Sequence, residues 1–131
     1  MFTSLHVKQW LEEHILSGAK VYNDTIPPSG RLIYVRMLPG AGYTLEGIQD
    51  NPSFTLETRG ADRNFDDAEY IAKEADDVIL KMGGEPYFFS DGTYMYFMGR
   101  TGGGPSQLLV SDSAGRYAFT CNYYATVATD L

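Results

Sequence analysis

The pattern of hydrophobic and polar positions changes period near residue 60, from that of a strand to that of a helix. Within residues 53–59, Phe54, Leu56 and Thr58 alternate with more polar side chains, the period of two expected of a half-buried strand. From residue 65 the apolar positions recur every three or four residues, which is the spacing of one helical face. The pattern predicts a strand that leads through a short polar turn into an amphipathic helix. The apolar positions of this helix are Ala68, Ile71, Ala72, Ala75, Val78, Ile79 and Met82.

Both predicted helices carry end signals. For the second helix, Asn64 is a suitable N-cap, Asp66 and Asp67 favour its first turn, and Gly83-Gly84 fits a left-handed exit. An opening helix is predicted over residues 4–17, with Ser4 as its cap and Gly18 as its stop. Its apolar stripe consists of Val7, Trp10, Leu11, His14 and Ile15.

The remaining segments read mainly as strands. Residues 31–38 are apolar at nearly every position, which predicts a central strand covered on both sides. Residues 39–52 form a connection far longer than a hairpin turn, and such loops are usually functional or disordered. Asp91-Gly92 predicts a hairpin between residues 87–90 and 93–100. Residues 106–110 and 117–128 are a further candidate strand pair.

These elements predict an α+β fold in the order α-β-β-α-β-β-β. Helices separated by antiparallel strands do not suit a doubly wound parallel sheet. We therefore expect a single mixed, mainly antiparallel β-sheet with two helices packed on one face. A length of 131 residues with 44% hydrophobic content predicts one domain over residues 1–131.

Charge and composition narrow the classes of function. A formal net charge of −7 argues against a protein that binds nucleic acid by neutralising phosphates, so no sequence-specific nucleic acid is expected. No apolar run is long enough to cross a bilayer, and the N-terminus does not resemble a signal peptide, which predicts a soluble protein. Cys121 is the only cysteine and cannot form an intramolecular disulfide.

The residues that could support catalysis are few. His6 and His14 lie on the opening helix without the acidic neighbour of an HExxH motif, so we expect a surface His6 and a boundary His14 rather than metal ligands or a general base. Cys121 is expected to be buried and structural. Gly102–Pro105 lacks the lysine and the following helix of a phosphate loop, which predicts a flexible turn. We predict no enzyme, and no catalytic, cofactor-binding or metal-binding residues.

The second helix also carries six carboxylates that could form an acid/base or metal set. Their positions opposite the apolar stripe instead predict an ordinary solvated face. They are Asp66, Asp67, Glu69, Glu74, Asp76 and Asp77.

Aromatic residues are the most abundant candidates for binding. Ten tyrosines and seven phenylalanines can fill the core of the sheet, but tyrosine is also favoured at protein interfaces. A sheet with helices on one side keeps an open face and free edges. Pairing with other copies of the chain is one way to cover them.

One family resemblance follows from the strand FTLETRG, the helix DDAEYIAKEADDVIL and the later aromatic strand. In this order they resemble the tail terminator and minor capsid proteins of long-tailed bacteriophages. The similarity runs from about residue 4 to 128 and depends on element order and on the junction at residues 54–82. The positions that match the family pattern are Arg59, Ala68, Glu69, Ala72 and Ala75.

The resemblance implies a structural protein that forms a homo-hexameric ring, caps the finished tail tube and provides the surface for head–tail joining. Its implied partners are other copies of itself, the tail tube protein and the head–tail connector proteins, and DNA would pass through the ring lumen. Its implied location is the head–tail junction of the virion, after synthesis in the host bacterial cytoplasm. The predicted partner-binding residues are Tyr43, Leu45, Ile48, Arg59, Arg63 and Arg100.

Two other interpretations stay open. The first is a small-molecule-binding or regulatory α/β domain, with or without weak enzymatic activity. In it, residues 39–52 and the Gly102–Pro105 turn would flank a pocket. The second is a dimeric bacterial protein of unrelated role.

Overall fold

A computed structural model describes residues 2–39, 48–49, 52–82, 85–109 and 112–129, which form two helices and eight strands. The helices are α1 (Ser4–His14) and α2 (Phe65–Leu80). The strands are β1 (Lys20–Tyr22), β2 (Leu32–Met37), β3 (Ile48–Gln49), β4 (Ser53–Arg59), β5 (Tyr87–Phe88), β6 (Thr93–Arg100), β7 (Ser106–Leu108) and β8 (Ala118–Thr129).

All eight strands belong to one sheet, in the order β1-β2-β4-β8-β6-β5. The long strand β8 is its centre, because β3 and β7 also pair with it. Strands β1 and β2 are parallel and the other described pairs are antiparallel. The predicted α+β fold with a mixed, mainly antiparallel sheet is confirmed.

Both helices pack on the same face of the sheet. The strand register brings Val35, Leu56 and Cys121 side by side, and their side chains share one apolar cluster with the buried faces of both helices. Alternation along the strands sends these side chains to the helical side and their neighbours to the other. We call that second side, where Thr55 and Asn122 lie opposite each other, the open face. The helical residues of the cluster are Val7, Trp10, Leu11, Ile71, Ala75 and Ile79.

The opening helix is shorter than predicted. It ends at His14 instead of residue 17, and its N-cap is Thr3 instead of Ser4. The next backbone amides turn away from the helix, because those of Leu16 and Ser17 donate to the Glu74 carboxylate on α2. The predicted stop, Gly18, therefore lies beyond the end of the helix.

The strand count also exceeds the predicted order, since the short strands β1 and β3 were not foreseen. All four candidate strands after α2 form, one more than that order counted. Strand β1 lies between α1 and β2, where no strand was predicted, and β3 lies within the predicted 39–52 loop. Each of these strands is too short to show a period of two in the sequence. Each is stabilised by its pairing with a longer strand. Strand β2 is interior as predicted, but the expectation that it is covered on both sides is wrong, because Arg36 on the open face is exposed.

The junction between β4 and α2 forms as predicted. The Asn64 side chain accepts a hydrogen bond from the Asp67 amide at 3.0 Å and caps the helix. Gly60 allows the helix to approach the strand closely, because a Cβ atom there would overlap the Ala68 amide nitrogen and lie 2.7 Å from the Ala68 Cα. A side chain at residue 60 would push α2 off the sheet.

The expectation of a solvated acidic face on α2 is wrong for three of its six carboxylates. Asp76 is buried, Asp67 forms an ion pair with Arg31, and Glu74 accepts the two amides that follow α1. Asp66 and Asp77 are exposed as expected, and Glu69 pairs with Lys73 near the surface. A helical wheel places Asp76 on the solvated face because it takes no account of distant partners. In the fold, an ion pair compensates the charge of this buried carboxylate.

Neither helix in the described ranges is both long enough and apolar enough to span a membrane.

Candidate functional site

Five aromatic rings lie together on the open face, at the end of the sheet formed by β5, β6 and β8. We call them the aromatic row. Phe88 stacks on Tyr94 with ring centroids 5.5 Å apart, and Tyr94 meets Tyr96 edge to face at 5.0 Å. Phe97 contacts Tyr124 of the neighbouring strand at 5.9 Å. Strand pairing sets this arrangement, since Phe88 is opposite Tyr94, and Phe97 is opposite Thr126, two residues along β8 from Tyr124.

A β-bulge turns the aromatic row outward. The pairing of β6 with β8 shifts between Met95 and Phe97, so that Met95 and Met98 both point to the helical side. With strict alternation, two residues three positions apart would face opposite sides. The shift leaves both Tyr96 and Phe97 exposed on the open face. The bulge could not be predicted from the sequence because no charged or strongly polar residue stands between Thr93 and Arg100 to reveal the register.

The aromatic row is exposed and contains no charged residue. Phe88 is 68% exposed, Phe97 48% and Tyr96 40%. At about 200 Å² per ring-bearing side chain, these three residues expose on the order of 300 Å². Contiguous apolar patches of this size commonly mark interaction sites.

A second, smaller aromatic contact lies on the helical side, where α2 begins. Phe65 meets Tyr117 edge to face with centroids 5.4 Å apart, and both rings are exposed, at 38% and 42%. We call this contact the Phe65–Tyr117 pair. Phe65 also packs on Phe119, which anchors it to the start of β8. Phe119 and Tyr124 point to opposite faces and are about 17 Å apart along the strand.

The predicted partner-binding residue Arg59 is committed to an internal network. Its Nε donates to Glu57 at 2.7 Å and its Nη1 donates to Asp112 at 2.5 Å. The same Asp112 carboxylate accepts from Arg116 at 3.0 Å, and Arg116 also donates to the carbonyls of Gly30 and Pro27. The network joins β4 to the segments that precede β2 and β8.

The predicted partner-binding residue Arg100 is likewise paired within the chain. Its Nε donates to Asp76 at 2.9 Å and its Nη2 contacts the other carboxylate oxygen. The Tyr123 hydroxyl donates to the same carboxylate at 2.9 Å. Burial alone would raise the pKa of Asp76, but the hydrogen bonds from Arg100 and Tyr123 outweigh it and hold the pKa below its usual value.

Arg63 differs from these two arginines. Its backbone has a positive φ of 61°, and its amide donates to the Gly115 carbonyl at 3.1 Å. Among the described residues, no ion pair to its guanidinium is found. Arg63 is exposed, and it lies two residues before Phe65 in the sequence. The predicted contacts Tyr43 and Leu45 lie outside the described residues. Ile48 is described only as part of β3, where it pairs with Ala128.

The two histidines are held by partners that their sequence neighbourhood does not reveal. His6 was expected on the surface, but its side chain is largely buried, and its Nε2 lies 2.7 Å from the Asp91 carboxylate. Its Nδ1 accepts the Thr3 amide, which completes a capping box. His14 stacks on Trp10, and its Nδ1 lies 2.7 Å from the Trp10 carbonyl. Asp91 lies 85 positions from His6, so no local motif could have indicated the pair.

The Gly102–Pro105 turn covers the buried Cys121, as its thiol lies 3.5 Å from the Gly103 carbonyl oxygen. A shallow cavity of about 310 Å³ beside the turn is lined by glycines and by Thr120, Cys121 and Asn122. Burial raises the pKa of the Cys121 thiol. Within the described ranges, no group of three or more potential metal-binding side chains occurs. The predicted burial of Cys121 is confirmed.

No protein-family model matches the chain, and no curated protein matches it significantly.

Proposed function

We propose that this chain is a structural subunit that assembles with copies of itself into a ring at the head–tail junction of a long-tailed bacteriophage. The observation that carries the proposal is the aromatic row, an uncharged surface of exposed rings on a rigid sheet. Copies of a chain with a net charge of −7 repel one another. This repulsion is weakest where the uncharged surface of one copy contacts another copy. The proposal also draws on the resemblance of the sequence to tail terminators at the junction of residues 54–82.

The ring would be the functional unit, with no catalytic step assigned to it. A closed ring covers the same surface on every subunit and leaves none exposed. Its outer surfaces would then contact the tail tube protein on one side and the head–tail connector on the other. Residues 39–52 are proposed as one of these docking elements, since the segment carries apolar residues in a long connection.

Replacing Phe97 with glutamate is expected to prevent tail completion. The charge would lie within the aromatic row, where each contact with another acidic subunit would have to bury it without a partner. The variant would be supplied to a phage that lacks its own copy of this gene. Electron microscopy would then show overlong or headless tails.

The matched control is Tyr70→Glu, which adds the same charge at an exposed ring on α2, outside the aromatic row. The control should give tails of regular length joined to heads. Normal particles with the Phe97 variant would contradict the proposed role of the aromatic row. Circular dichroism of both variants confirms that each has folded.

Replacing residues 41–47 with a Gly-Ser segment of equal length is expected to leave the melting temperature close to that of the wild type while blocking tail completion. The substitution ends before Ile48 because β3 pairs with β8. Unchanged loop length keeps the entropy of loop closure nearly constant. Regular tails joined to heads would show that this segment is not a docking element.

A further inference from the structure

We infer that the open face binds a small hydroxylated carboxylic acid, with the chemistry of a sugar acid, in a groove beside Arg36. This groove, which we call the Arg36 groove, has a volume of about 430 Å³, within the range of small-molecule sites. Leu38 and Leu108 contribute its apolar lining. Its lining residues and the aromatic row do not overlap, so ligand binding here is separate from the assembly proposed above.

Strand register builds the floor of the Arg36 groove from two rows of polar side chains. Thr55 and Asn122 lie opposite each other on the open face, and Arg36 lies opposite Thr55 on its other side. Residues two positions along each strand point to the same face, which adds a parallel row. The second row consists of Tyr34, Glu57 and Thr120.

The guanidinium of Arg36 is the charge of the groove that lacks a partner. The other charged group is the Glu57 carboxylate, which accepts from Arg59 at 2.7 Å. Arg59 also pairs with Asp112, and Asp112 with Arg116, so this network holds two positive and two negative charges. Arg36 is exposed and forms no ion pair or hydrogen bond with a residue that the structure describes. A single negative charge on a ligand therefore complements the groove.

A carboxylate matches this guanidinium in both geometry and charge. Arginine binds a carboxylate through two parallel hydrogen bonds. A phosphate monoester offers the same oxygens but carries nearly two negative charges at neutral pH. The surplus charge would lie beside Glu57 in a chain whose net charge is −7. The Arg36 groove therefore favours a monoanion.

The uncharged polar groups of the groove suit hydroxyl groups on the ligand. The Thr55 hydroxyl donates to the side-chain oxygen of Asn122 at 2.7 Å, so the Asn122 nitrogen keeps its two donors for a ligand. The hydroxyls of Tyr34 and Thr120 can each donate and accept. A sugar acid combines a carboxylate with several hydroxyls, and its C–H groups suit the two leucines.

The test titrates D-glucuronate into the protein and measures binding by isothermal titration calorimetry. Arg36→Gln should weaken binding about 10- to 100-fold, the loss expected for hydrogen bonds to a charged group. Because Arg36 is exposed and unpaired within the described residues, the substitution should leave the melting temperature unchanged. The matched control is Arg63→Gln, which removes the same charge from an exposed arginine outside the groove and should bind as wild type does.

D-glucose and inorganic phosphate test the ligand chemistry. D-glucose keeps the hydroxyls without the carboxylate and should bind at least about 10-fold more weakly than D-glucuronate. Inorganic phosphate should also bind more weakly, since it lacks the carbon-bound hydroxyls and carries the surplus charge. No saturable binding of D-glucuronate, an equal affinity for either comparison ligand, or an equal loss with Arg63→Gln would each overturn the inference.

Discussion

Replacing Asp112 with alanine is expected to lower the free energy of unfolding by about 3–5 kcal/mol, the usual cost of removing one partner from a buried ion pair. Its carboxylate accepts from Arg59 and Arg116, and the Arg116 side chain is 2% exposed. Without Asp112, Arg116 would keep only the carbonyls of Gly30 and Pro27. Urea denaturation of the variant and wild type measures the loss.

The matched control is Asp77→Ala, which removes an exposed carboxylate from α2 and should change the free energy of unfolding by less than about 0.5 kcal/mol. An equally small effect at Asp112 would show that the network adds no stability. Asp112→Asn should be less damaging than alanine, because the amide oxygen can still accept one hydrogen bond.

The Asp112 contribution should also depend on pH. Burial would raise the pKa of its carboxyl, but hydrogen bonds from the Ala114 amide and Arg59, with the charge of Arg116, hold the pKa below its usual value. Because the folded pKa is the lower one, the stabilisation is complete above the unfolded pKa of about 3.9 and is lost as pH falls through the folded value. The difference in stability between wild type and Asp112→Asn should therefore shrink in acid.

Local signals predicted those parts of the fold that depend on neighbours in sequence. The alternation of β4, the Asn64 cap and the apolar stripe of α2 each lie within a few residues of the feature they predict. The fold class follows from them, because a stripe of this width must be buried against a single surface. The helical side of the sheet was therefore predictable.

The candidate surfaces depend on contacts between residues that are distant in sequence, and a local sequence pattern does not predict such contacts. The bulge at Met95–Phe97 decides which rings face solvent, and it arises from pairing with β8 about thirty residues later. The Phe65–Tyr117 pair joins residues from α2 and from the approach to β8. The predicted arginines at positions 59 and 100 are paired with Asp112 and Asp76, which are also distant in sequence. Composition indicated that aromatic surface was available but not where it lay.

Replacing Asp76 with alanine is expected to lower the free energy of unfolding by about 2–4 kcal/mol, less than at Asp112 because part of Arg100 reaches solvent. The helical wheel alone predicts a change below about 0.5 kcal/mol, as for any solvated carboxylate. The structure reverses that expectation, since Asp76 is 5% exposed and accepts from both Arg100 and Tyr123. Urea denaturation distinguishes the two values.

Asp77→Ala is again the matched control, one residue away on the same helix but exposed. Helix propensity rises similarly in both variants, so a difference between them reports the buried network rather than the helix. Equal stabilities would mean that Asp76 is solvated and that α2 is rotated on the sheet. Tyr123→Phe separates the two donors, because it removes the hydroxyl and leaves the ring stacked on Phe54. Its expected cost is about 1 kcal/mol, so most of the loss at Asp76 would belong to the ion pair with Arg100.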